Sequence, residues 1–303
     1  MDTTETRLRA QFDELRAEGK QAAEEGRLSD ALKLYQACAE RAAALGERDL
    51  ADLAFCNRCA IEISLGRHEG LIRDLRDILS RSTDRLNRLV AAYNLARIYE
   101  LRNDVRKGLL YSRIARGEHE KHTPPSAYWE GILRNQAGCF LLLQSRFDEA
   151  AEEYRRALAA DPQMPESRLA VAWLNLGYCC LVLGDHRQGF ALVYRSLRIH
   201  RRSELVREQM LGHLDLCYGL LEVGRHRPAR RHGVRALALA ERIGDQLGLK
   251  NALYLLGEAA HLLGDDDEAR ACFDRLQALF PATPFLSDLL MAVDLRQMLN
   301  LRA

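Results

Sequence analysis

The stretch AVAWLNLGYCCLVLGDHRQGF, residues 170–190, decides the fold. Its glycines, Gly177, Gly184 and Gly189, stand among apolar residues with almost no charge. Such a stretch is compatible with a buried helical hairpin, a membrane segment or a ligand pocket. Asp185 and His186 interrupt the apolar run before the roughly 18 residues that a membrane helix needs. The choice between a hairpin and a pocket depends on whether the rest of the chain repeats the stretch.

The chain repeats it seven times, with a period near 40 residues. A helix-breaking dipeptide marks the same point of each repeat, and successive dipeptides lie 37 to 42 residues apart. The dipeptides begin at Gly26, Gly66, Asn103, Ser145, Gly184, Gly224 and Gly264. A fixed period in this range is typical of a solenoid, in which each unit buries its apolar face against its neighbours.

Side-chain size repeats in the same register. Seven residues before each turn stands a small side chain, at Gly19, Cys59, Ala96, Gly138, Gly177, Cys217 and Gly257. Nine residues after the turn, five repeats carry a larger apolar side chain, at Tyr35, Leu75, Tyr154, Val193 and Phe273. A small residue lets a second helix lie close against the first, and the larger apolar residues act as filler. The pattern predicts seven helix-turn-helix hairpins, and it predicts no glycine-rich nucleotide loop, which would follow a strand.

These residues resemble the tetratricopeptide repeat, with its W-x2-L-G-x2-Y, A-x3-F and P pattern. Trp173, Leu176 and Gly177 match it in repeat five, and FDEAAEEYRRALAADP, residues 147–162, matches it in repeat four. The period of about 40 residues is longer than the usual 34. The resemblance implies an all-α fold, a right-handed superhelical solenoid. We expect a lead-in over 1–12, seven repeats in one domain over 13–281, and a capping helix over 282–303. The apolar residues Leu286, Leu289, Leu290, Val293 and Met298 would lie roughly on one stripe of that helix.

The composition sets limits on the function. The chain has 303 residues, 29% of them charged, with a formal net charge of +1. This balance gives no global attraction to nucleic acid or to a membrane. The first 20 residues lack the apolar core of a signal peptide, so a cytoplasmic location is expected. The eight cysteines are expected to be buried free thiols, as in a reducing compartment.

The resemblance implies that the first helices of the hairpins line a concave groove that binds a partner peptide or helix. One column of this face is amide-rich and reads Asn57, Asn94, Gln136, Asn175 and Asp215, flanked by Ala17 and Leu255. Two neighbouring columns carry aromatic and charged side chains. The predicted groove residues are Asn57, Tyr93, Asn94, Arg97, Asn135, Asn175, Tyr178, Asp215, Tyr218 and Tyr254. An amide both donates and accepts, so it pairs with an extended peptide backbone. The alternative is that these amides bond across neighbouring helices.

A second candidate surface is basic. Arginines cluster on the second helices of repeats five and six, at Arg195, Arg198, Arg202, Arg227, Arg230, Arg231 and Arg235. The simplest interpretation is a solvated outer face. The alternative is a docking patch for an acidic partner or for nucleic acid, although no aromatic residues or base-reading motif favour nucleic acid.

No catalytic residue set, cofactor loop or metal-ligand spacing stands out. Cys56 and Cys59 fall inside a predicted helix, without a second pair to complete a metal site. The sequence therefore predicts a non-enzymatic scaffold or adaptor that binds a protein or peptide partner, without cofactor or metal. The alternatives are a peptide-sensing regulator that acts through a partner, and a protein that binds through its arginine-rich face.

Overall fold

The computed structural model describes residues 3–121 and 124–303, and over these residues it contains helices and no strand. Seven hairpins follow one another along the chain, each made of a first and a second helix. The helix pairs are α1 Thr3–Glu24 with α2 Leu28–Leu45, α3 Arg48–Ser64 with α4 Leu71–Arg81, α5 Arg85–Leu101 with α6 Val105–Glu120, α7 Ala127–Leu143 with α8 Phe147–Ala160, α9 Glu166–Val182 with α10 His186–His200, α11 Val206–Glu222 with α12 His226–Ile243, and α13 Gln246–His261 with α14 Asp266–Ala278. A short helix, α15 Leu286–Ala292, comes last. The predicted all-α fold of seven hairpins is confirmed.

Each hairpin turns at its predicted helix-breaking dipeptide. The first residue of all seven dipeptides has a positive φ, including the non-glycine residues Asn103 and Ser145 at 54° and 57°. In three hairpins the next residue is an aspartate whose carboxylate accepts a hydrogen bond from the third residue of the following helix; these are Asp104, Asp185 and Asp265. A left-handed residue ends one helix and the aspartate caps the next.

In four hairpins the recurring small residue is a glycine that packs directly against the larger side chain of the second helix. A Cβ added at Gly138 would lie 2.7 Å from the ring of Tyr154, and one added at Gly177 would lie 2.7 Å from Val193. Tyr35 covers Gly19 in the same way, and Phe273 covers Gly257. Real Cβ atoms do not approach so closely, so the glycines are a condition of this packing.

The chain divides into two compact units. Unit 1 comprises the described residues up to Leu141, together with Glu152–Leu169 and Ser203–Leu205. Its core contains one cluster around Phe12 and Tyr35 and another around Leu75 and Ile98.

Unit 2 comprises Leu142–Ala151, Ala170–Arg202 and Val206–Ala303. Its first helices are buried on nearly every side. Every residue from 172 to 181 of α9 and from 251 to 260 of α13 is buried.

The structure corrects the extent of the two terminal segments. The predicted lead-in is part of α1 from Thr3 onward, while Met1 and Asp2 lie outside the described residues. The expected helix over 282–303 is helical only over α15, because Val293 adopts an extended conformation, with φ −135° and ψ 125°. A single 3₁₀ turn at Arg296–Met298 follows. Leu289, Val293 and Met298, members of the predicted apolar stripe, are exposed.

Within the part of the chain that the structure describes, no helix has the length and apolar content of a bilayer-spanning segment.

Candidate peptide-binding groove

Unit 2 brings four of the predicted groove residues together. Tyr178 lies on α9, Asp215 and Tyr218 lie on α11, and Tyr254 lies on α13, so each is on a first helix. All four are buried. Part of this burial comes from the last residues of the chain, 293–303, which lie against the first helices. We call these residues the groove segment.

Leu301 of the groove segment is bound as a peptide residue would be. Its side chain is fully buried. Its main-chain N–H donates to the hydroxyl of Tyr178 at 2.9 Å, and its carbonyl accepts from the Asn251 amide at 3.2 Å. Buried main-chain groups need hydrogen-bond partners. Here side chains from α9 and α13 supply both partners.

Arg302 follows with the strongest polar contact of the segment. Its guanidinium donates to both carboxylate oxygens of Asp215, at 2.9 and 2.8 Å, and lies 4.5 Å from the centre of the Tyr178 ring. Asp215 has no exposed surface. Burial raises the pKa of Asp215, and the charge and hydrogen bonds of Arg302 oppose that rise. A buried carboxylate is tolerated when a cation pairs with it, and Arg302 provides that cation.

Tyr254 binds the other end of the segment. Its hydroxyl accepts from the main-chain N–H of Leu295 at 2.8 Å and contacts the Asp294 carboxylate at 3.4 Å. One turn further along α13, Glu258 is buried. Burial, followed by the charge of Asp294, raises the pKa of Glu258 to about 7. The groove thus contains a carboxyl group that titrates near neutral pH.

Glu222, at the end of α11, binds the middle of the segment. Its carboxylate accepts from the Gln297 amide at 2.8 Å and pairs with Arg296 at 3.4 Å. Between these contacts and Leu301, the Asn300 amide donates to the carbonyl of Leu142 at 2.7 Å. The segment therefore runs along the first helices from α13 to the end of α7.

Aromatic rings line the groove where Arg302 lies. Tyr178 makes edge-to-face contacts with Phe147 and Tyr218, at centroid distances of 6.0 and 6.3 Å. Burial raises the pKa of Tyr218 to about 12 and also raises that of Tyr178. Both tyrosines remain neutral at physiological pH, so their hydroxyls can donate and accept.

The predicted groove residues of unit 1 bind neighbouring helices instead. The amide of the fully buried Asn94, on α5, donates to the carbonyl of Cys56 on α3 at 2.8 Å. Arg97 donates to the carbonyl of Ala60 on α3 at 3.1 Å, and Gln136 on α7 donates to the carbonyl of Tyr93 at 3.2 Å. These side chains link successive first helices.

The remaining predicted groove residues are scattered. Asn57 on α3 and Asn135 on α7 are half-buried, and Asn175 on α9 is buried. Tyr93 lies edge-on to Trp129, at a centroid distance of 5.7 Å. No single ligand site of unit 1 emerges from these positions among the described residues.

The basic surface is on second helices, as predicted. Six of its seven arginines are exposed, on α10, α12 and the turn that follows α10: Arg195, Arg198, Arg202, Arg227, Arg231 and Arg235. The exception is Arg230, which pairs with Asp265 at 3.3 Å and Glu268 at 2.7 Å.

The cysteines are free thiols, and seven of the eight are buried. Burial raises the pKa of Cys56, Cys179 and Cys217 to about 12. Over residues 3–121 and 124–303, no three His, Cys, Asp or Glu side chains come together to hold a metal ion.

Several contact residues of the groove were not predicted from the sequence, among them Asn251, Leu301 and Arg302. Asn251 lies four residues before the predicted groove position Leu255, on the same helix face. A signal also existed for Arg302, since Asp215 is the one carboxylate in the amide-rich column. A carboxylate at a buried position calls for a cation elsewhere in the chain. No local pattern identifies which one.

Comparisons with known proteins agree with the repeat fold. The tetratricopeptide repeat profile matches residues 251–283, the hairpin of α13 and α14. No curated protein matches the sequence.

Several solved structures share the fold. The chain is similar to a Rap protein complexed with Competence and Sporulation Factor, with a TM-score of 0.68 and 13% identity over 96% of this chain and 79% of that one. It is also similar to aspartyl phosphate phosphatase F from Bacillus subtilis, with a TM-score of 0.53 and 14% identity over 92% of this chain and 86% of that one. A third is PilW, a type IV pilus biogenesis factor, with a TM-score of 0.53 and 21% identity over 79% of this chain and 98% of that one. At these identities the likeness shows the fold.

Proposed function

We propose that this tetratricopeptide-like repeat protein is a non-catalytic adaptor that binds an extended protein segment in the groove of unit 2. The groove consists of the first helices α9, α11 and α13 with the side chains Tyr178, Asp215, Asn251 and Tyr254. Its ligand is a segment of a partner protein, or a peptide.

The observation that carries this proposal is the binding of the groove segment itself. Tyr178 and Tyr254 accept hydrogen bonds from two main-chain N–H groups, and Asn251 donates to a main-chain carbonyl. Contacts of this kind recognise a peptide backbone whatever its sequence. Side chains that satisfy a non-helical backbone are not required for helix packing, so their presence supports a peptide-binding role.

Four polar groups of the groove are consistent with a binding role. Tyr178 and Tyr218 are held neutral by their raised pKa values. Cys179, beside Tyr178 in the sequence, has its pKa raised to about 12, so it carries almost no reactive thiolate at neutral pH. Asp215 is paired with Arg302. Each of these groups has a hydrogen-bonding or packing role and lacks an activated state.

Site-specific photo-crosslinking in the native host tests the proposal directly. A photoreactive amino acid is placed at Glu222, which contacts the groove segment. A matched variant carries it at Val234, on the outer side of α12 and 48% exposed. We expect a cross-linked partner from position 222, with the linked partner segment identified by mass spectrometry.

The labels at Glu222 and Val234 separate binding in the groove from binding elsewhere on the protein. A partner that cross-links from Val234 and never from Glu222 would contradict groove binding. Cross-linking of a short free peptide at Glu222 would favour the alternative of a peptide-sensing regulator that acts through a further partner.

A second candidate is an acidic partner on the basic surface. Tyr194, 50% exposed on α10 and next to Arg195 in the sequence, lies edge-on to His232 on α12 at a centroid distance of 6.4 Å. An aromatic side chain among arginines favours protein binding. Loss of the cross-linked partner on Arg231→Glu plus Arg235→Glu, with steep weakening by salt, would support this surface instead of the groove.

A further inference from the structure

We infer that the groove segment is a built-in competitor of the partner. The partner displaces it by presenting an arginine beside an apolar residue, and these take the places of Arg302 and Leu301. The inference rests on the proposed function and names the chemistry of its ligand. It also predicts that the groove of the isolated protein is closed by the chain itself.

The contacts of Leu301 and Arg302 are those of a ligand with its site. Three first helices each contribute one side chain, Tyr178, Asp215 and Asn251, and all three converge on two consecutive residues. Leu301 is fully buried while its main chain is read by the groove. Elsewhere in the segment the Met298 side chain is 83% exposed, so it adds little to the contact with the groove.

Arginine is the residue that this site selects. The two nitrogens of Arg302 meet the two oxygens of Asp215, and the planar guanidinium lies over the Tyr178 ring. A lysine can neither donate in this forked geometry nor stack in the same way. The site therefore discriminates between the two basic residues, whereas a solvated charge would not.

The groove is expected to exchange one arginine for another. An empty groove would leave the Asp215 carboxylate without its cation, which is unfavourable even when water reaches it. A partner arginine restores the same pairing, so displacement conserves the charge balance. Ordering residues 293–303 also costs conformational entropy, which opposes the stabilisation from the buried leucine, the hydrogen bonds and the ion pair. This entropy cost weakens the intramolecular contact, so a partner segment can compete with it.

The test uses a labelled peptide with the sequence VDLRQMLNLRA, residues 293–303, blocked at both ends, and the full-length protein. Fluorescence anisotropy measures binding to the wild-type protein and to Arg302→Ala. We expect Arg302→Ala to bind the peptide at least tenfold more tightly, because its own segment no longer closes the groove. Adding Asp215→Asn to that variant should weaken binding at least tenfold.

The peptide itself provides the specificity control. Replacing its arginine at the position of Arg302 by lysine or alanine should weaken binding to the Arg302→Ala protein at least tenfold in each case. Arg231→Glu in the protein, on the basic surface, should leave binding unchanged. Equal binding of the arginine and lysine peptides would overturn the proposed specificity.

Hydrogen exchange measures closure in the wild-type protein without any substitution. The Leu301 amide should exchange at least a hundredfold faster than that of Leu216 in α11, because the segment opens locally. If Arg302→Ala does not fold, Gln297→Ala plus Asn300→Ala removes two outer contacts of the segment and serves as the released variant.

Two results would overturn the inference. One is exchange of Leu301 only at the rate of Leu216, and the other is peptide binding no tighter to the released variants than to the wild-type protein. If either result occurred while a partner still cross-linked at Glu222, partner binding in the groove would remain supported. The inference that the groove segment competes with the partner would then be wrong. Without cross-linking at Glu222, the proposed function itself would fall.

Discussion

Arg302 forms a bidentate ion pair with Asp215, 87 residues earlier in the chain, on a carboxylate that has no exposed surface. This one contact binds the end of the groove segment to the first helix α11. The positive charge of Arg302 also compensates the negative charge of Asp215. The stability of unit 2 and the occupancy of its groove are therefore coupled.

Arg302→Ala tests this coupling as a change in stability. Removing one partner of a pair that stays buried costs about 3–5 kcal/mol. Because the groove segment can leave and admit water to Asp215, we expect the free energy of unfolding to fall by less than about 3 kcal/mol. Chemical denaturation measures it. The double variant Asp215→Asn plus Arg302→Ala should recover part of the loss, and no recovery would contradict a coupled pair.

Glu258→Gln should change how stability depends on pH. The pKa of Glu258 is raised from its ordinary value of 4.5 to about 7 by burial and by Asp294. The native protein thus holds a proton that the unfolded chain releases between these values. The stabilisation from this group is present below about pH 4.5 and is lost as the pH rises through 7, by up to about 1.4 kcal/mol per pH unit.

The check is the difference between the wild-type protein and the glutamine variant. Denaturation at pH 5, 6 and 7 should show the variant gaining on the wild-type protein as the pH rises. Parallel curves would mean that Glu258 has an ordinary pKa. Tyr254→Phe should not remove the difference, since Tyr254 binds Leu295 and Asp294 without being charged.

The histidines His213 and His232 should give stability the opposite pH dependence, with a loss of stability as the pH falls. Their Nδ1 atoms are 2.9 Å apart, so one nitrogen donates and the other accepts. Burial, with the nearby charge of Arg235, lowers both pKa values from 6.5 to about 4. Since the unfolded chain binds these protons first, stability is present above pH 6.5 and is lost as the pH falls towards 4. His213→Gln plus His232→Gln should reduce the dependence of the thermal midpoint on pH between pH 6.5 and 4.5. An unchanged dependence would contradict the lowered pKa values of this pair.

Gly177→Ala tests the packing that defines the repeat. The new Cβ would lie 2.7 Å from the Val193 side chain and 3.1 Å from the carbonyl of Gly189. Overpacking of this kind costs about 1–3 kcal/mol, and thermal or chemical unfolding measures it. The matched control is Gly117→Ala, because Gly117 lies inside α6 and a Cβ added there would meet no atom within 4 Å. Alanine there should be neutral or stabilising by up to about 1 kcal/mol.

Asn94→Ala should lower stability without changing binding in the groove of unit 2. The Asn94 amide is buried and donates to Cys56, so its loss removes one buried hydrogen bond, at a cost of about 0.5–1.5 kcal/mol. Asn57→Ala, at the half-buried position of the same column, should change stability by no more than about 0.5 kcal/mol. Anisotropy with the labelled peptide and denaturation together separate the two effects.

The turns and the tight pairs were predictable from the sequence because they depend on local backbone sterics and side-chain size. Gly184 has a φ of 86°, which a side chain rarely permits, and its equivalents recur with the repeat. Pairs equivalent to Gly177 and Val193 occur in other repeats for a similar reason, since two helices approach closely only where one of them lacks a side chain. These features are periodic: the chain contains seven examples of the turn and several of the tight pair.

The sequence predicted the columns of candidate groove residues, but it did not predict the contacts that these residues make. The sequence placed Tyr178, Asp215 and Tyr254 on first helices, and the structure brings them together. The same reasoning placed Asn94 in the groove, yet Asn94 bonds to Cys56 of the neighbouring first helix. An amide at a repeated position serves either purpose, and the distance to the next helix decides which.

By itself, the sequence determined the seven hairpins, their turns and the faces that meet, because each depends on residues within one repeat or its neighbour. Only the tertiary structure decided what occupies the groove of unit 2. The apolar stripe after residue 282 predicted a continuous helix. The buried carboxylate of Asp215 instead pairs with Arg302, and a long-range ion pair of this kind leaves no periodic trace in the sequence.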